Sequence, residues 1–89
     1  MSLDPSHIRW LKNIFDLLAI GGVWGFPNAG LVFQKIAPTT VICIGAMPFQ
    51  EGMPGTPEEW KEHQEENYQL TVTHAIAAGY ILLDRRNAQ

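Results

Sequence analysis

The run "TTVICIGA" at residues 39–46 constrains the fold most, because it is apolar on both of its alternating faces. In an extended chain Val41 and Cys43 point to one side, and Ile42 and Ile44 point to the other. A strand of this kind needs cover on both sides. The rest of the chain must therefore supply neighbouring strands and a covering layer.

The N-terminal segment is predicted to form the first helix. Asp4 is a suitable N-cap and Pro5 suits the first helical position, so the helix is predicted from Pro5 to about Ile20. Gly21-Gly22 is expected to end it as a C-terminal cap. One apolar stripe recurs at spacings of three or four residues: Ile8, Leu11, Phe15 and Leu18.

A second helix is signalled by "TPEE" at residues 56–59, which combines a capping box with proline at the first helical position. It is predicted to run from Pro57 to about Ala78 and to be ended by Gly79. This is the strongest local signal in the chain.

The glycine-rich stretch "GGVWGFPNAGLVFQKI" at residues 21–36 is predicted to be two antiparallel strands joined by a tight turn at "PNAG". Its glycines follow a helix and precede β-forming residues, which is the wrong order for a phosphate-binding loop. "YILLD" at residues 80–84 reads as a last short strand. The predicted fold is a single small α+β domain over residues 1–89, an antiparallel sheet of three to four strands with two helices, in the order α-β-β-β-α-β.

Two helices can cover one face of such a sheet, and the apolar residues on the other face then remain uncovered. Either one helix covers each face, or the uncovered face meets a second copy of the protein. Charged residues make up only 17% of the chain, so few charged groups are available to hydrate the surface. A homodimer is therefore expected.

Charge and hydropathy exclude several classes of protein. The net charge is −3 and the six Lys and Arg residues are scattered, so no basic stripe follows a nucleic-acid backbone. No apolar run reaches the roughly 18 residues of a membrane helix, and no signal peptide is evident. With a single cysteine, Cys43, a reducing cytoplasmic setting is the simplest expectation.

No constellation of residues predicts catalysis, a metal site or a bound cofactor. His63 and His74 are eleven residues apart on one predicted helix, about 16 Å along its axis, so they cannot share a metal. Cys43 lies in the most apolar strand and is expected to be a buried thiol rather than a nucleophile. We therefore expect that the protein is not an enzyme.

The second helix begins in a cluster of acids. Residues 51–66 contain six acids and a single base, Lys61. Acids near a helix N-terminus favour its dipole, which accounts for the cluster without any function. The functional interpretation is an acidic patch that docks on a basic partner beside apolar loop residues. The candidate partner-binding residues are Met47, Phe49, Met53, Glu58, Glu62 and Glu66.

An alternative function is the binding or sequestering of a small ligand by a homo-oligomer, in a pocket between subunits. Aromatic side chains would serve as its stacking walls. The simpler interpretation is that they belong to the core. The candidate ligand-binding residues are Trp24, Phe26, Trp60 and Tyr68.

The succession of "DLLAIGGVWGFPNAGLVF", an "MP" loop, a "TPEEW...Q" helix and "AAG" before a last strand resembles short uncharacterised proteins of tailed bacteriophages and prophages. The resemblance implies a setting, in which a small accessory protein binds and redirects a host protein in the host cytoplasm or sequesters a small molecule. It implies no activity and no role for an individual residue.

Overall fold

The structure, a computed structural model, describes residues 3–86. It contains two helices and four strands in the predicted order α-β-β-β-α-β, which confirms the α+β class. The elements are α1 (Pro5–Leu17), β1 (Val23–Phe26), β2 (Leu31–Ala37), β3 (Thr40–Ala46), α2 (Pro57–Ala77) and β4 (Ile81–Asp84).

The four strands form one sheet in the order β1-β2-β3-β4. β1, β2 and β3 pair antiparallel, as predicted, whereas β4 runs parallel to β3. The expectation of a wholly antiparallel sheet is therefore corrected for the last strand. The physical reason is that α2 carries the chain back along the sheet, so the next strand starts from the same end as β3.

Helix α1 begins as predicted and ends earlier. The Asp4 carboxylate accepts a hydrogen bond from the Ser6 amide at 2.9 Å. The helix stops at Leu17, because Leu18 is already extended. Gly21 and Gly22 do not cap it: the Gly21 amide donates to the Lys35 carbonyl oxygen at 2.6 Å, and the Lys35 amide donates to that of Gly22 at 3.0 Å. The glycines extend the β1–β2 ladder instead.

Helix α2 confirms its predicted start. The Glu59 amide donates to the Thr56 hydroxyl at 3.2 Å and the Thr56 amide donates to the Glu59 carboxylate at 3.1 Å, which is the capping box. The helix ends at Ala77, and Gly79 follows at φ 88°. Within residues 3–86, neither helix is long and apolar enough to span a bilayer.

Both helices pack on the same face of the sheet. Phe15 of α1 and Tyr68 and Ala75 of α2 share one core with the inward residues of β2 and β3. Cys43 is among these and is fully buried, as predicted, and its burial raises the pKa of the thiol. The core residues are Leu11, Phe15, Leu31, Phe33, Val41, Cys43, Tyr68, Ala75 and Tyr80.

The other face of the sheet, the open face, has no helix over it in the described part of the chain. Alternation from the buried Phe33 and Cys43 and the pairing register define which side chains lie on it. Ile42 at its centre is only 6% exposed, whereas Val23, Ile36, Ile81 and Leu83 are 41–57% exposed. The open face comprises Val23, Val32, Gln34, Ile36, Thr40, Ile42, Ile44, Ile81 and Leu83.

A tyrosine–carboxylate hydrogen bond joins α1 to the segment before β4. The Tyr80 hydroxyl donates to Oδ1 of Asp16 at 2.6 Å, and Lys12 donates to Oδ2 of the same carboxylate. Hydrogen bonds from Lys12 and then Tyr80 lower the pKa of Asp16. Burial and the Asp16 hydrogen bond raise the pKa of Tyr80 to about 12 from 10.0.

This hydrogen bond predicts a loss of stability at alkaline pH. Between about pH 10 and pH 12 an unfolded chain has released the phenolic proton that folded Tyr80 keeps, so the free energy of unfolding falls as pH rises through this window. Tyr80→Phe should reduce that fall, and a smaller fall should remain because burial also raises the pKa of Tyr68, the other tyrosine. Urea denaturation on either side of pH 10 measures it. An equal alkaline loss in Tyr80→Phe would contradict the assignment.

Candidate functional site

The site is built around Gly30, where the turn after β1 enters β2. Gly30 has φ 67°, a conformation that glycine adopts without strain. Trp60 and Gln64 of α2 pack directly against it: a Cβ atom here would overlap the Trp60 indole and lie 2.7 Å from Nε2 of Gln64. The missing side chain lets α2 approach the sheet closely at this point.

Met47, the first residue after β3, is held by three hydrogen bonds. Its amide donates to the Gly30 carbonyl oxygen at 2.8 Å. Its own carbonyl oxygen accepts from Nε1 of Trp60 at 2.9 Å and from Nε2 of Gln64 at 2.7 Å. Gln64 also donates to the Gly30 carbonyl oxygen at 2.9 Å. The start of the 47–56 loop is therefore fixed against α2.

A groove of about 380 Å³ runs between this loop and the first turns of α2. We call it the loop groove. Apolar and aromatic side chains line most of it, and Glu58 and Lys61 carry its charges. It brings together three of the six predicted partner-binding residues, Met47, Phe49 and Glu58. Its lining residues are Ala46, Met47, Pro48, Phe49, Pro57, Glu58, Trp60, Lys61 and Gln64.

Met53 lies in a different recess. It shares a pocket of about 290 Å³ with Glu59, Trp60 and His63. Its sulfur accepts a hydrogen bond from the Gln50 amide at 3.1 Å, which closes a turn within the loop. The structure therefore assigns Met53 a local structural contact, separate from the loop groove.

The remaining two predicted partner-binding residues, Glu62 and Glu66, are exposed on the solvent side of α2. With Glu58 they follow one another at intervals of four residues and form a line along the helix, which we call the acidic stripe. Glu65 lies beside it and pairs with Arg86 at 3.2 Å. The acidic stripe starts at the loop groove, because Glu58 belongs to both.

The four aromatic residues of the alternative function do not meet in one recess of the described chain. Trp24 and Phe26 lie edge to face at 6.4 Å, at the β1 edge of the sheet. Trp60 instead stacks on the His63 ring at 5.6 Å. Tyr68 is buried beneath the Arg86 guanidinium, which lies 4.0 Å from its ring centroid. The single chain thus forms no aromatic pocket from this set.

Arg86 closes the C-terminal end of the described chain over α2. Besides stacking on Tyr68, its guanidinium donates to both carboxylate oxygens of Asp84 at 3.0 Å. The hydrogen bonds from Arg86 lower the pKa of Asp84. In the sequence Arg86 is only one of six scattered Lys and Arg residues. No local pattern indicates that it folds back over an aromatic ring.

Two of the three histidines, His63 and His74, donate hydrogen bonds to backbone carbonyl groups. Nε2 of His63 donates to the Asn28 carbonyl oxygen at 2.7 Å, and Nδ1 of His74 donates to that of Leu70 at 2.7 Å. Among residues 3–86, no group of three His, Cys, Asp or Glu side chains is arranged to hold a metal ion. The His63–Asn28 bond helps to fasten α2 to the turn before β2.

Gln64 is the residue that the sequence analysis did not single out. It lies one helical turn after Trp60, so both side chains fall on the buried side of α2. The sequence signal that could have indicated Gln64 is a polar side chain on the same side of the predicted helix as Trp60. Gln64 is 6% exposed and bridges α2 to both Gly30 and Met47.

Comparison of the chain with protein-family models, with curated proteins and with solved structures finds no match.

Proposed function

We propose that the protein is a non-enzymatic protein-binding module that captures a basic partner segment carrying one apolar side chain. The observation that carries this proposal is the continuity of the loop groove with the acidic stripe through Glu58. The partner's apolar side chain occupies the loop groove, and its Lys or Arg residues lie along the stripe.

The loop groove suits an apolar anchor because its walls are already fixed. Trp60 and Gln64 hydrogen-bond the Met47 carbonyl oxygen, so ordering these side chains costs little when a partner binds. Phe49 and Pro48 add further apolar lining. Buried aromatic and aliphatic anchors in such preformed recesses carry most of the binding energy at protein interfaces.

The acidic stripe selects the charge of the partner. Glu62 and Glu66 have no salt bridge among the described residues, so a basic segment can approach them without breaking an internal ion pair. Exposed charges at an interface rim mainly accelerate association and reject partners of the same sign. The chain's own net charge of −3 acts in the same direction.

The resemblance to short phage proteins would make the partner a protein of a bacterial host. Under that reading the module occupies a basic surface of the host protein and redirects it within the host cytoplasm. The chemistry of the groove and the stripe does not depend on this setting, so the test uses defined peptides.

A peptide-display selection tests the proposed function without knowledge of the partner. Immobilised wild-type protein should enrich peptides in which Lys or Arg residues flank a Leu, Met or aromatic residue. Phe49→Ala, which removes an aromatic side chain from the lining of the groove, should lower the enrichment of the same peptides. The proposal is contradicted if the enriched peptides show no excess of Lys or Arg, or if Phe49→Ala enriches the same peptides equally.

The acidic stripe makes a separate prediction. Glu62→Gln with Glu66→Gln should change stability by less than about 0.5 kcal/mol, because both residues are exposed. The same change should weaken binding of the selected peptides, most strongly at low salt, where screening is least.

Asn13→Lys with Ala19→Lys is the matched control for this test. It makes the same change in net charge at two exposed positions outside α2. Titration of the peptides against both variants at several salt concentrations separates position from net charge. If the two variants weaken binding equally, the stripe has no specific role.

A further inference from the structure

We propose that the open face of the sheet binds a second copy of the chain, so that two sheets stack face to face in a dimer. Val23, Ile36, Ile81 and Leu83 are each between 41% and 57% exposed on this face. Isolated exposed apolar side chains are ordinary, but a contiguous set on one face of a sheet is typical of an interaction surface.

The charge pattern favours a second copy over a different partner. The strand positions of the open face carry no Asp, Glu, Lys or Arg. Such a face offers no charge complementarity by which to choose a foreign partner, and nothing charged loses its hydration when the face meets itself. A twofold axis places the same patch on both sides of the interface.

The acidic residues of α2 do not oppose this packing. Glu58, Glu62 and Glu66 lie on the solvent side of α2, and α2 covers the opposite face of the sheet. Two copies that stack through their open faces therefore hold their acidic stripes on opposite outer surfaces. The distance leaves the repulsion between them largely screened at physiological salt.

The size of the face indicates which class of interface it can form. With strands about 4.8 Å apart and about 3.3 Å per residue, the four strands cover a flat area of roughly 350 Å² in each copy. Two such faces, enlarged by the relief of their side chains, approach the roughly 1,000 Å² at which specific interfaces begin. An interface at this lower limit is typical of weak, transient association, so we expect a reversible dimer, populated at roughly tens of micromolar, formed from protomers that fold on their own.

Sedimentation equilibrium over a range of concentrations tests the proposal with three variants. Ile36→Lys and Leu83→Lys each place a charge on the open face at half-exposed positions and should weaken the dimer at least about tenfold. Ile76→Lys is the control, because Ile76 is 64% exposed on α2, away from the sheet. Circular dichroism checks that each variant folds.

The outcomes separate face-to-face packing from its competitors. Ile36 lies in the interior strand β2 and Leu83 in the edge strand β4. If Leu83→Lys dissociates the dimer and Ile36→Lys does not, the copies join edge to edge along β4 and the proposal is overturned. A wild-type protein that stays monomeric at several hundred micromolar, well above the expected range, also overturns it.

Amide chemical shifts of the unaltered protein give a readout that needs no variant. On dilution, shifts should change for the open-face strands and stay constant along α2. Changes confined to α2 and the 47–56 loop would place the contact at the loop groove instead, which contradicts the proposal.

Discussion

Gly30→Ala is expected to destabilise the protein by about 2 to 5 kcal/mol. The left-handed conformation of Gly30, at φ 67°, costs a residue with a Cβ atom about 1 to 2 kcal/mol. The new methyl group would also overlap the Trp60 indole and crowd Gln64, and overpacking of this kind costs about 1 to 3 kcal/mol. A domain of this size has only about 4 to 13 kcal/mol of stability, so the change is large.

Gly52→Ala is the matched control, because it isolates the backbone contribution. Gly52 has φ 93°, and a Cβ atom there would meet nothing within 4 Å. Its substitution should cost only the backbone contribution of about 1 to 2 kcal/mol, and thermal or urea denaturation compares the two. If Gly30→Ala loses no more stability than Gly52→Ala, then Trp60 and Gln64 of α2 do not pack closely against the turn at Gly30.

The same substitution links the fold to the candidate site. Trp60 and Gln64 cannot give way at Gly30 without moving the hydrogen bonds that they donate to Met47. We therefore expect folded Gly30→Ala protein to bind selected peptides more weakly than Gly52→Ala protein. The stability of the fold and the shape of the loop groove therefore both depend on the close approach of α2 to Gly30.

The outline of this fold follows from local sequence signals. Asp4, the Thr56–Glu59 capping box and Gly79 mark helix ends through hydrogen bonds and backbone conformations that involve only neighbouring residues. The alternation in β3 correctly predicted a strand with Val41 and Cys43 on one face and Ile42 on the other. Signals of this range need no knowledge of the rest of the chain.

The direction of β4 was predictable by a different argument. A strand's own residues do not encode its direction, but the 21-residue helix between β3 and β4 does. A helical crossover of that length returns the chain to the starting end of the sheet, which makes the two strands parallel. The antiparallel expectation gave this connection too little weight.

The candidate site was predictable only in part. The sequence places Met47, Phe49 and Glu58 near one another along the chain, and the loop groove unites them. It does not encode the fit of Trp60 and Gln64 onto Gly30, some 30 residues earlier, because that contact depends on how α2 sits on the sheet. The partner-binding role of these residues stays a prediction.

The end of α1 shows how tertiary contacts override a local signal. Gly21-Gly22 resembles a helix C-cap, yet both residues pair with the backbone of Lys35 in the sheet. The chain then needs Leu18 to Ile20 to turn from the helix into β1. The side chain of Lys35 takes over the capping role: its Nζ donates to the Phe15 carbonyl oxygen at 2.8 Å, in the last turn of α1.

Lys35→Met is therefore expected to cost about 1 to 3 kcal/mol, although it replaces a 7% exposed lysine by an apolar side chain of similar length. Methionine avoids the cost of burying a charge, but it leaves the Phe15 carbonyl oxygen without its donor. The unsatisfied acceptor outweighs the gain, because nothing else in the last turn of α1 is basic.

Lys12→Met is the control for this test, since Lys12 loses only an exposed ion pair with Asp16, worth about 0 to 1 kcal/mol. Urea denaturation gives the stability difference, and hydrogen exchange of the Leu17 and Leu18 amides should accelerate in Lys35→Met alone. If Lys35→Met is as stable as the wild type and those amides stay protected, then α1 ends where it does without help from β2. The turn of residues 18–20 into the sheet would then be sufficient to stop the helix.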